Sequence, residues 1–310
     1  MKRVTVLLGV SLLLAACGAG GETPDTLPTT PSVRVGGFSR PASLEGEPCG
    51  LAATERDVWI LDCAGNLSRV PKAGGEIDIK PLGGEVLALD GLAGGSSLWG
   101  LVSVRSSRML DGKVVAVDAS SGAVAAPLSV GASVPMSAAE AAGRLWVGML
   151  DGRLLSVANG SVGEVARDEP LVRIAAVDGD VWTVTEDGTV ALRAVAGGVR
   201  VRHMRAAPDA IAAAAASGAF YVSTPERVLR VEASGAPRAL AIPGTVNDIE
   251  PCEGRIWLSQ ADFGIRSLGT NGDIETSLRL EVAPRYLACD GSSLWVLAED
   301  GRLGSVTISS

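Results

Sequence analysis

The segment "SSLWVLAEDGRLGSV", Ser292 to Val306, joins two runs of alternating apolar residues through Glu-Asp-Gly. Alternation puts every second side chain on one face of a strand, and Asp-Gly suits the positive φ of a tight hairpin. The segment therefore reads as two antiparallel strands. The same plan recurs in "RDVWILDCAGNLSRV" (56–70), "GRLWVGMLDGRLLSV" (143–157), "GDVWTVTEDGTVALR" (179–193) and "GRIWLSQADFGIRSL" (254–268). Two copies depart from it: "SSLWGLVSVRSSRMLDGKVVAV" (96–117) carries a longer loop, and "GAFYVSTPERVLRV" (218–231) has Tyr in place of Trp. The anchors Trp59, Trp99, Trp146, Trp182, Tyr221, Trp257 and Trp295 follow one another at 36 to 47 residues. A unit of about forty residues with four short strands and no helical periodicity matches one blade of a β-propeller, and seven such units close into a ring. The Ala run 212–216 falls where "RIAAV" and "YLAC" fall in other copies, and is read as an inner strand.

The last copy ends after its third strand, while "SVRVGGF" (32–38) precedes the first blade without a place in it. That N-terminal strand is expected to complete blade seven from outside, giving an all-β, seven-bladed domain over 32–310. Residues 1–17 have the parts of a secretory signal: Lys2 and Arg3, an apolar run from Val4 to Leu14, then small residues, in all too short to span a bilayer. Residues 18–31, rich in Gly, Pro and Thr, read as a flexible tether. The end of the leader, Leu14-Ala15-Ala16-Cys17, resembles the lipobox of bacterial lipoproteins, in which the Cys is lipidated and becomes the mature N-terminus. The resemblance implies a protein outside the cytoplasm, held on a cell membrane by acyl chains on Cys17. Without Lys2 and Arg3, 25 of the 27 basic residues remain against 35 acidic ones. No basic stripe is left to neutralise phosphates, which sets nucleic acid aside as a partner.

"APRYLACDGSSLWVLAEDGRLGSV" (283–306) and its copies resemble the propeller repeats of streptogramin-lyase-like proteins, and "GKVVAVDASSG" (112–122) is similar to those of quinoprotein-like propellers. The likeness covers 32–310 and implies the fold; one fold hosts many activities. A streptogramin lyase would carry a catalytic His with acidic and metal-binding partners at the channel mouth. The one His here, His203 in "GVRVRHMRA", maps instead to the outermost strand of blade four, on a face with Val199 and Val201. A quinone site would need a set of Trp-docking repeats and a calcium cluster, and only one repeat approaches that pattern. P-loop, dinucleotide and nucleophile-elbow motifs are missing. The expectation is no cofactor, no metal and no catalytic residue.

Four Cys follow Cys17, an even number in an exported chain, which favours two disulfides over free thiols. In the first blade, residues whose numbers sum to about 112 face each other across the first hairpin, and Cys49 and Cys63 satisfy that sum. Cys252 and Cys289 lie at nearly the same place on the inner strands of blades six and seven, so they would link two blades; a pair of buried thiols is the alternative. No Cys or His spacing of a zinc site occurs.

The pairs Asp111-Gly112, Asp151-Gly152, Asp187-Gly188 and Asp300-Gly301 read as turns, and the repeated Trp as packing between blades rather than as stacking platforms for rings. Function is sought where the copies differ. At the start of the inner strands, near the channel mouth, stand Ser137, Arg173, Asp209, Asp248 and Arg285, a mixed set able to hold a polar or zwitterionic ligand or to pair internally. The segment 103–112, with Arg105 and Arg108 beside Met109, and "QADFG" (260–264), with Gln260, Asp262 and Phe263, should project from the same face. The reading is a monomeric, lipid-anchored scaffold that binds a protein or small-molecule partner on one propeller face. Its rival is a lyase or hydrolase with an acidic, metal-dependent site at the channel mouth.

Overall fold

In the computed structural model the described residues are 32–309, apart from 40, 42–45, 84, 91–96, 107–108, 178, 195–197 and 263. The signal, the tether, Cys17, Arg108 and Phe263 lie outside them. The alternating runs form strands throughout, the described residues contain no helix, and the Ala run is the strand Ala212–Ala216. Seven four-stranded antiparallel sheets result. Their inner strands are Pro48–Ala53, Glu85–Asp90, Pro135–Ala141, Leu171–Val177, Ala212–Ala216, Asp248–Cys252 and Pro284–Cys289, for blades one to seven. In blade seven the outermost strand is Ser32–Val35, paired antiparallel with Leu303–Ser309 from Ser32 opposite Ser309 to Val35 opposite Val306. The first and last described strands therefore share one sheet, which is how the ring closes.

Each anchor aromatic sits on the second strand of its blade and reaches into the seam with the next. The buried apolar residues fall into seven clusters, and each cluster bridges one pair of neighbouring blades. Trp59, Trp146, Trp182 and Trp257 are at most 1% exposed. Trp182 stacks on Phe220 of blade five with ring centroids 5.3 Å apart. Full burial of a large apolar side chain contributes roughly 1.5–3 kcal/mol, so the stability resides in the seams. Inner strands of adjacent blades do not share a ladder, and the centre is left as a channel.

Both disulfides join the expected partners. Cys49 and Cys63 have Cα atoms 5.0 Å apart, and Cys252 and Cys289 5.5 Å. The register differs from the expected sum: Leu51 pairs with Ile60 and Pro48 with Asp62, because a bulge leaves Cys49 without a cross-strand partner. The same bulge recurs at the start of the inner strand in blades two, three, four and seven. Asp151-Gly152, Asp187-Gly188 and Asp300-Gly301 are hairpin turns, with Gly φ between +81° and +85°. Asp111-Gly112 is not a turn. Gly112 lies inside the strand Met109–Asp118, opposite Ser103, where an added Cβ would run into the Ser133 carbonyl.

The seam between blades seven and one has its own polar lock. Asp290 pairs with Lys72, accepts the Trp295 indole N–H at 2.9 Å and the backbone N–H of Ser293 at 2.7 Å, and Lys72 lies 5.3 Å above the Trp295 ring. Burial alone would raise the Asp290 carboxyl; the bonds from Lys72, Trp295 and the turn outweigh it and lower the pKa from 3.8 to about 2. A depressed native pKa adds stability that is fully present above the unfolded value and is lost as pH falls from about 4 through 2. In urea unfolding, wild type should exceed Asp290→Asn by about 2 kcal/mol at pH 7, with the gap narrowing toward pH 2. A gap that does not change with pH would show that the carboxylate charge is not what holds this seam.

Candidate functional site

The bulge decides which residues meet in the channel. Nine residues before the aromatic anchor stand Gly50, Ser137, Arg173, Ala212, Asp248 and Tyr286, each paired with the residue two past that aromatic. Blade two supplies Ala88 at the same level. Ser137, Arg173 and Asp248 therefore share one ring level, as the copies suggested. Arg285 does not: it is the bulged residue of blade seven, one position earlier, and Tyr286 occupies the level. Asp209 lies three residues before its inner strand, exposed on a turn with φ of 55°. At Arg285 a bulge inserts a residue with no mark in the sequence, whereas blade five has no such bulge and Asp209 belongs to the turn that enters it.

A cavity of about 360 Å³ opens at this level, lined by Ser137, Arg173, Asp248, Glu250 and Tyr286 among apolar residues such as Met136 and Ile174. Its polar side chains stitch neighbouring blades. The Ser137 hydroxyl accepts the Ile174 N–H of blade four at 3.1 Å. Arg173 Nε donates to the Ile211 carbonyl, at the entry to blade five, at 2.6 Å, and its Nη1 to Val172. Asp248 Oδ2 accepts the Leu287 N–H at 2.8 Å, and Glu250 Oε1 the Cys289 N–H at 2.9 Å, both on blade seven. Inner strands that share no ladder expose backbone N–H and C=O groups to one another, and these side chains satisfy them. Arg285 pairs with Glu47 at 2.7 Å and lies 5.3 Å over the Tyr286 ring. Burial, opposed by Arg285, raises the Tyr286 phenol above its usual range.

Glu250, Tyr286 and Glu47 were not singled out in the sequence. Glu250 has a signal there: it sits seven residues before Trp257, where five other copies carry Ala.

The segment 103–112 is no irregular loop. Ser97–Ser106 and Met109–Asp118 pair continuously from Ser97 opposite Asp118 to Ser106 opposite Met109. Since the neighbouring strands stop at Glu85 and Gly131, the ribbon beyond Ser103 and Gly112 stands clear of the blade on the face where the inner strands begin. Arg105 is exposed on it. Asp262 is also exposed, but Gln260 is fully buried and donates to the Pro243 carbonyl, so it holds a loop rather than facing a partner. His203 ends the outer strand of blade four opposite Val190, with Nε2 buried and unpaired. Among the described residues no group of three or more His, Cys, Asp or Glu side chains converges as metal ligands.

No protein-family model and no curated protein matches the sequence. Solved structures do match the fold. Virginiamycin B lyase from Staphylococcus aureus, as a catalytically inactive His-to-Ala variant with quinupristin, superposes with a TM-score of 0.73 at 16% identity, over 89% of this chain and 99% of the lyase. The WD40 propeller domain of Doa1 gives 0.67 at 15% identity, over 89% of this chain and 97% of the other. A computationally designed protein, Ika8, gives 0.63 at 12% identity, over 86% and 98%. At these identities the likeness establishes the propeller and nothing about activity.

Proposed function

We propose that the chain is a lipid-anchored propeller outside the cytoplasm, acting as a non-catalytic binding or assembly scaffold on the cell envelope. The observation that carries this reading is the engagement of the channel's polar side chains. Ser137, Arg173, Asp248 and Glu250 each bond the backbone of the next blade or its entry, which is the work of holding a ring open. An acid or base needs a side chain able to exchange protons with a substrate. The His-to-Ala change that inactivates virginiamycin B lyase has no counterpart at this channel, where the single His of the chain is remote from the lining. Asp248 and Glu250 remain the residues a lyase or hydrolase reading would have to use.

The direction of chain entry supports a display role. Ser32 lies at the end of blade seven where the inner strands finish, so an anchor at Cys17 joins the face opposite the Arg105 ribbon and the channel mouth. The recognition face then points away from the membrane. Two experiments test the reading. Cys17→Ser should release the protein from the membrane fraction and remove acyl labelling; retention with labelling elsewhere would refute the anchor. A photocrosslinker at position 105, used in cells, should capture a stoichiometric partner, and Arg173→Ala with Arg285→Ala in the same protein should cut that capture at least tenfold. Undiminished capture removes this face, and chelator-sensitive turnover of a substrate in place of a partner would favour the enzyme.

A further inference from the structure

The residue paired with each anchor aromatic across its hairpin shapes how the ring is covered. Opposite Trp59 stands Arg69, its guanidinium 5.4 Å above the indole. Opposite Tyr221 stands Arg230, its Nε 3.2 Å from the phenol oxygen. Trp295 is covered by Lys72 from blade one, and Trp182 by Phe220. Trp99 is paired with Ala116, which has only a methyl group to offer. Its ring is half-buried and borders a cavity of about 270 Å³ between blades two and three, with Leu128 and Val157 as apolar walls. Around that cavity stand Glu140, Arg144 and Asn159, all exposed, and among the described residues neither charge forms an ion pair. The Trp99 Nε1–H is buried without an acceptor among the described residues, as it is in the sealed seams of Trp59 and Trp257, so a molecule in the cavity meets the ring and not the N–H.

We propose that this cavity binds a single neutral sugar ring. A pyranose has one apolar C–H face, which lies on an indole, and an edge of hydroxyls that both donate and accept. One such ring can donate to Glu140, accept from Arg144 and do either with Asn159 while its C–H face lies on Trp99. An organic cation would match the indole and Glu140 but meet Arg144; an anion would match Arg144 but meet Glu140. The mixed rim suits a neutral polyol better than either. Ligand sites usually span about 300–1,000 Å³, so this volume limits the occupant to one ring, either a free monosaccharide or the terminal residue of a glycan. Contact with one ring implies a dissociation constant on the order of millimolar. The cavity lies where the inner strands end, on the face away from the Arg105 ribbon, and its occupancy is independent of the scaffold reading.

Saturation-transfer NMR on the full mature chain tests this, with glucose, galactose, mannose, rhamnose and N-acetylglucosamine and their methyl glycosides as probes. Transfer to the ring C–H protons of at least one sugar is expected. Binding of a methyl glycoside marks a glycan terminus, and binding of the free sugar alone marks a monosaccharide. Ala116→Arg should lay a guanidinium on Trp99 as Arg69 lies on Trp59, and reduce the transfer at least tenfold with an unchanged melt. If that variant fails to fold, Glu140→Gln with Arg144→Gln, both on exposed positions, should give the same loss. No transfer from any sugar, undiminished transfer in a folded variant, or stronger transfer to lysine or phenylalanine at equal concentration overturns the proposal.

Discussion

Deleting residues 32–38 should lower the melting temperature by about 10–20 °C, since each kcal/mol is worth roughly 2–4 °C in a domain of this size. The strand Ser32–Val35 pairs residue by residue with Leu303–Ser309 and hides Val306 and Ile308, which are 0% and 8% exposed. Val33 and Phe38 pack on the cluster holding both. Phe38 also lies against Gly304, where any Cβ would strike its ring. Removing the strand exposes two large aliphatic residues at roughly 1.5–3 kcal/mol each and frees a row of ladder groups at about 1 kcal/mol each. The rest of blade seven remains held to blade one by Lys72 with Asp290 and by Arg285 with Glu47, so a weakened ring rather than a collapsed one is expected. Calorimetry on the truncated and full domains checks this, with a deletion of 18–31 as the control that should not shift the melt. An unchanged melt on losing 32–38 would mean that the N-terminal strand decorates blade seven without closing it.

The propeller was legible because its cause is periodic. A Trp or Tyr needed once per seam, and turns needed between strands, impose a forty-residue rhythm that survives Tyr221 and the long second copy alike. The channel was legible only in part. Ser137, Arg173 and Asp248 were found because they differ between copies, whereas Arg285 and Asp209 were set beside them by counting from turns of unequal length. The bulged residues Cys49, Leu87, Met136, Val172 and Arg285 share no chemistry, so nothing in the sequence announces the bulge. Aromatic anchors make the better ruler, because the second strand is free of bulges against the inner one beyond that point. The cross-blade bonds were invisible for a different reason. Their partners are backbone groups 37 to 39 residues away, which carry no side-chain signature. The ribbon at 103–112 was misjudged as a loop because "VRSSRMLDG" does not alternate; with no sheet on either side of it, its backbone pairing is not accompanied by a buried face.

Replacing Cys252 and Cys289 together by Ser should cost about 4 kcal/mol, and replacing Cys49 and Cys63 about 3 kcal/mol, if each bond acts mainly on the unfolded chain. The difference comes from the loops they close, with sequence separations of 37 and 14. The larger loop is one whole blade, so this bond ties the inner strand of blade six to that of blade seven, next to the place where the ring shuts. Asp248 and Glu250 bond the same two strands further along. If the three links act on one seam, their losses are coupled. Once the disulfide is gone, Asp248→Asn should cost more than it does in its presence, by 0.5 kcal/mol or more in a double-mutant cycle. Denaturant unfolding of wild type, the two disulfide variants, Asp248→Asn and its combination with the Cys252 and Cys289 replacements measures both quantities. Additive losses would mean that the seam stays shut without the bond, and a greater cost for the Cys49 pair would place the weak point in the first hairpin. The expected order, with coupling at blades six and seven, follows from where the chain must be held: a ring of independent blades opens first beside its closure, and there this sequence puts a covalent link, two carboxylate stitches and the Lys72 to Asp290 lock within one blade's width.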